Sequence, residues 1–183
     1  MKKFFLLTIT FLLALSATAA AQPNAQPNYN FVRVSDLGAQ AFVDRMGYGN
    51  IYQTLKQQGT VVAFTAPAHH SELDDPQNFP ALNVYRSLFG IQGTQAPNGQ
   101  LRFYVDGQGI VCVVQVINEG DPQLSGMVLL MTMEALGLND REAAPLIQTQ
   151  GATAETFCSA ANRKILRLVT DQQGNNVMLF GAT

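Results

Sequence analysis

Both histidines of the chain, His69 and His70, lie in one stretch, AFTAPAHHSELDDPQNFP, residues 63–80, with the acids Glu72, Asp74 and Asp75. Side chains of these types can move a proton, hold a divalent cation or orient a catalytic water. Geometry narrows those options. Adjacent histidines project to opposite faces of a strand and about 100° apart on a helix, so His69 and His70 do not share one metal on regular backbone. Zinc-type sites take three or four good ligands, and no further histidine exists elsewhere in the chain. A calcium site built from Glu72, Asp74 and Asp75 would lack the spacing and internal glycine of the calcium-loop pattern. The pattern fits a solvated loop or short helical turn, with Ser71 as its N-cap and Asp74 and Asp75 favouring its positive end. His69–Asp75 is thus the candidate site loop, no metal or other cofactor is expected, and no catalytic residue is assigned.

Two other groups could do chemistry. Cys112 and Cys158 are the two cysteines, and an isolated pair in an oxidising compartment is expected to form a disulfide. Such a bridge would close a 46-residue loop and stabilise by about 4 kcal/mol in the chain-entropy model. Cys112 lies inside the apolar run GIVCVVQVI, where a thiolate is poorly solvated, which opposes a nucleophilic role. Met127, Met131 and Met133 have spacings that could hold copper(I), but their Val-Leu-Leu context points to core packing. The chain contains no Gly-x-Ser-x-Gly elbow, phosphate loop, His-Glu-x-x-His or Ser-x-x-Lys motif, so common catalytic constellations lack a signature.

The chain opens MKKFFLLTITFLLALSATAAA. A basic start, a short apolar run and small residues near Ala19–Ala21 are the pattern of a secretory signal peptide, expected over residues 1–21. The run is short of the roughly 20 apolar residues that span a bilayer, and no membrane span is expected in the mature chain. The repeated unit in AQPNAQPNYN cannot bury a core and reads as a flexible Pro/Asn/Gln tether, residues 22–30. Residues 31–183 then form one expected domain. Without Lys2 and Lys3, nine basic residues face 13 acidic ones. No basic stripe is visible in the sequence, so a nucleic-acid partner has no electrostatic support. Secreted or periplasmic localisation follows as an expectation.

The elements that must position these groups come from apolar periodicity. Ser35 can cap a helix over Asp36–Met46, and Asn50 a second one ended by Gly59. TVVAFT, residues 60–65, reads as a buried strand. Pro80 can start a helix over Ala81–Phe89. LRFYVD, residues 101–106, alternates as a half-buried strand, DGQG turns the chain, and IVCVVQVI, residues 110–117, returns as a central strand. SGMVLLMTMEALG, residues 125–137, suggests a core helix. Asn139 with Glu142 suggests a capping box, and Thr153 can cap a helix to about Arg163. ILRLVT and NVMLFG flank DQQGN as a hairpin. The expected class is α+β: a single domain with a mostly antiparallel sheet of about five strands and several short helices packed against it.

NIYQTLKQQGTVVAFTAP, residues 50–67, resembles the opening of fasciclin-like domains, in which a helix with a Thr-Leu pair leads through glycine into a strand ending Phe-Ala-Pro-Thr. The matching positions are Ile51, Thr54, Leu55, Gly59, Val61 and Phe64, with Ala66 and Pro67 displaced by one because Thr65 interrupts the run. APLIQTQGATAETF and LRLVTDQQGNNVMLFGA, near 144–182, resemble later parts of that domain, while its central Tyr-His pair and closing hydrophobic strand have no counterpart. The resemblance implies a secreted adhesion or ligand-binding module without catalytic residues. Together with the tether and the missing catalytic signatures, it leads to an exported, non-enzymatic binding domain for a protein or cell-surface polymer. The alternatives are an exported hydrolase using the His69–Asp75 loop, or an envelope inhibitor or immunity-type protein.

Overall fold

The computed structural model describes residues 33–138 except 78, 95 and 96, with the backbone of the strands at 156–159, 164–170 and 176–182. The expected signal peptide, the tether, and the helix expected after Asn139 lie outside the described residues. Helix α1 spans Ala39–Tyr48 and buries Phe42, Val43 and Met46. Ser35 does not cap it; its Oγ accepts the Leu37 amide at 3.1 Å, and Gly38 takes the cap position. Helix α2 spans Asn50–Gln57. It ends at Gly59, whose φ of +86° suits glycine and ends the helix. Helix α3 spans Pro122–Ala135; Asp121 caps it by accepting the amides of Gln123 and Leu124, and Pro122 fills its first turn.

Eight strands follow in the order β1 Val62–Phe64, β2 Ala68–His69, β3 Asn83–Ile91, β4 Gly99–Val105, β5 Val111–Asn118, β6 Thr156–Ser159, β7 Lys164–Thr170 and β8 Asn176–Ala182. Five of them are long: β3, β4, β5, β7 and β8 have seven to nine residues each. All pairings are antiparallel, in the spatial order β1-β3-β4-β5-β8-β7-β6, with β2 also on β3. The class is α+β with an antiparallel sheet, as expected, and β5 is central.

Side-chain alternation gives the sheet two faces. Leu101, Phe103, Val114, Val116 and Phe89 face the helices and share one buried cluster with Phe42, Met46, Leu55, Leu124, Val128, Met131 and Met133. The Phe42 and Phe103 rings lie 5.5 Å apart at 58°, within the range of favourable tilted pairs. Met131 and Met133 are fully buried and Met127 packs against the cluster, so these methionines serve the core. A smaller cluster of Phe79, Val84, Tyr104, Cys112 and Val113 forms on the opposite, outer face.

Three expectations are corrected. The helix expected over Ala81–Phe89 is strand β3. NVYRSLFGI alternates buried Val84, Ser87 and Phe89 against sheet neighbours, and Ala81, with φ of +63°, breaks any helix starting at Pro80. The helix expected from Thr153 is interrupted by β6, whose pairing with β7 overrides the cap signal. Strand β1 is not buried on both faces: it lies at the sheet edge, and only Val62 of its three residues is buried.

Candidate functional site

The chain from Thr65 to Leu82 is tied to β3 along its length. Thr65 accepts the Leu88 amide on its Oγ1 at 2.8 Å and donates its own amide to the Leu88 carbonyl at 2.9 Å. β2 then pairs Ala68 with Arg86 and His69 with Tyr85. The His70 amide donates to the Val84 carbonyl at 2.9 Å, and a 3-10 turn follows over Ser71–Leu73. Its cap position is held by His70, not by Ser71. Asp74 accepts the Val84 amide at 2.8 Å, so its carboxylate continues the hydrogen bonding of β3 where the strand partner has turned away. Asp75 accepts the Phe79 amide on its carbonyl at 2.7 Å, which carries Phe79 over Tyr104 with ring centroids 4.1 Å apart.

The structure gathers four of the five candidate residues into two separate pairs. His70 Nδ1 lies 2.6 Å from Glu72 Oε1, and His69 Nε2 lies 3.4 Å from Asp74 Oδ2. The His69 ring also lies 5.4 Å from that of Tyr85. Adjacent histidines diverge, as their spacing requires. The Glu72 carboxyl is held below its usual range, first by a backbone amide and then by His70. Its side chain is 64% exposed and that of His69 44%, so water competes with both contacts. Among the described residues, no three of His, Cys, Asp or Glu are grouped to hold a metal ion. The arrangement supplies local folding contacts and exposed hydrogen-bonding groups.

Cys112 carries a free, buried thiol. It sits where the β4–β5 register shifts, between Tyr104–Val113 and Val105–Val111. Burial pushes its pKa up, with Asp106 adding to the effect. Cys158 lies on β6, with β8 and β7 between that strand and β5. Three strand spacings are about 14 Å, whereas a disulfide needs Cα atoms within roughly 7 Å. The side chain of Cys158, its expected disulfide partner, lies outside the described residues.

The outer sheet face holds polar residues that the sequence pattern did not bring together. Arg86 pairs directly with Arg102, and Arg102 with Gln115. All three are part-exposed. The buried side chain of Gln100 donates to Glu119 through Nε2 and accepts from Arg102 Nε on Oε1 at 2.9 Å. The buried Tyr104 hydroxyl donates to Gln115 Oε1 at 3.1 Å, and desolvation raises its pKa to about 12. Arg102 and Tyr104 were legible as one side of the alternating LRFYVD, but Arg86 was concealed in the misread helix.

Elsewhere, an open hollow of about 370 Å³ is lined by Arg33–Asp36, Arg45, Ala135 and Leu136. Arg33 is already committed to Asp106 at 2.6 Å. The stretch that resembles fasciclin-like domains forms α2, the Gly59 turn and β1. Among the described residues, no helix is long and apolar enough to cross a membrane. Comparison with protein-family models, curated proteins and solved structures finds no match to this chain.

Proposed function

We propose that the protein is an exported, non-enzymatic binding domain that recognises a cell-surface polymer through the outer face of its sheet. One observation carries this reading: Arg86, Arg102 and Gln115 form a half-buried row of side chains rich in donors, in which the one acceptor, Gln115 Oε1, is already taken by the Tyr104 hydroxyl. The His69–Asp75 loop supports the reading from the other side. Its acids and histidines are occupied in separate, water-exposed pairs, and Asp74 serves the backbone of β3. A general base competent at neutral pH is usually sheltered and aligned with a nucleophile.

The test uses the purified protein and its His69→Ala/His70→Ala variant. Both are assayed for retention on insoluble envelope polymer and for turnover of peptide, ester and glycoside substrates. Equal retention without turnover is expected. Turnover that vanishes in the variant while its circular dichroism is unchanged would replace this reading with a hydrolase.

A further inference from the structure

Like charges placed directly opposite on neighbouring strands are destabilising. Yet Arg86 and Arg102 face one another across β3 and β4 near the middle of the sheet. Among the described residues, neither is in an ion pair. The nearest compensation is indirect: Glu72 feels the charge of Arg86 but is hydrogen-bonded to His70, and Glu119 reaches Arg102 only through Gln100.

The same register row continues across the sheet. Arg102 pairs in turn with Gln115 on β5. Directly paired residues share a face, so Arg86, Arg102 and Gln115 occupy one line perpendicular to the strands. At about 4.8 Å per strand, the line is about 10 Å from Arg86 to Gln115. Its neighbours on the outer face are Leu88, Gln100 and Ile117 on one side and Val84, Tyr104 and Val113 on the other.

The row is also oriented. Gln100 is buried and fixes Arg102 by taking its Nε–H, and the Tyr104 hydroxyl also hydrogen-bonds to Arg102, so the guanidinium is held in place beside that of Arg86. Tyr104 occupies the carbonyl oxygen of Gln115, which leaves the amide NH₂. A guanidinium fork matches a carboxylate in two-point fashion. Two arginines and an amide on a line call for a ligand that brings negative groups and acceptors side by side. Tyr104, the aromatic residue on this face beside the arginines, is buried under Phe79, so bases of a nucleic acid have no platform for stacking there.

From this we infer that the outer row binds an acidic polysaccharide bearing carboxylates, laid across the strands. The inference rests on the binding-domain reading and names its ligand class. The experiment is calorimetric titration of the purified protein with polygalacturonate, neutral dextran and dextran sulfate at low and moderate salt. Polygalacturonate is expected to bind, with affinity falling as salt rises, while dextran does not. Arg86→Gln and Arg102→Gln should each weaken binding about tenfold or more with unchanged circular dichroism and equal or higher melting temperature. Lys56→Gln, an equal charge change on α2, should leave it unaltered. An equal loss with Lys56→Gln, absence of binding at low salt, or tighter binding of dextran sulfate would each overturn the inference. Retention on envelope polymer in the absence of polygalacturonate binding would sink this ligand assignment but leave the binding-domain reading standing.

Discussion

Single residues carry three checkable consequences. Asp74 replaces a strand partner for the Val84 amide, so Asp74→Ala should destabilise by about 1–2 kcal/mol in urea titration, without affecting polymer retention. Tyr104 ionises less readily when folded, its pKa being pushed up to about 12 by burial. The folded state therefore holds that proton more tightly than the unfolded state. Its contribution is complete below pH about 10 and is lost as pH rises toward 12, an order of 2–3 kcal/mol. Urea titrations from pH 8 to 11.5 should show this decline steepening above 10, and Tyr104→Phe should flatten it. Cys112 is free in the fold, so unreduced protein in denaturant should yield two titratable thiols. A yield of none would restore the bridge that the sequence suggested.

At the scale of elements, Glu134 near the end of α3 accepts the amides of Asn50 at 2.8 Å and Ile51 at 3.1 Å. It thereby supplies α2 with the cap that the sequence assigned to Asn50. Glu134→Ala leaves two amide donors and a helix N-terminus without their carboxylate. A loss of about 1 kcal/mol is expected by thermal or urea unfolding, and no change would assign α2 another cap.

Elements whose apolar period agreed with their neighbours were readable in advance. LRFYVD and IVCVVQVI became β4 and β5, and the hairpin around DQQGN became β7 and β8. The misread β3 shows where local reasoning stops. Its residues also fit a helix after Pro80, and the deciding contribution is pairing with β4 and with the segment Val62–His70, both distant in sequence. In the candidate loop, the separate partners of the two histidines followed from their adjacency. The arginine row was not legible, because it exists only once register aligns β3, β4 and β5.

For the whole molecule, the two sheet faces divide the work. Helices α1–α3 cover one face with the larger core, and Phe103→Ala there should cost about 3–5 kcal/mol. The outer face carries a smaller cluster beneath the 70–82 loop and, beside it, an uncompensated arginine pair. Replacing either arginine should stabilise the free protein by about 0.2–1 kcal/mol while weakening its binding, a trade expected of a site held ready for an anion.

The central claim is that the outer sheet row, rather than the histidine loop, meets the ligand. Its most direct measurement is amide chemical-shift mapping during titration with an oligogalacturonate. The account predicts the largest shifts at Arg86, Arg102 and Gln115, with the loop from His69 to Asp75 little changed. Shifts concentrated at His69–Asp75, with the outer row silent, would contradict it.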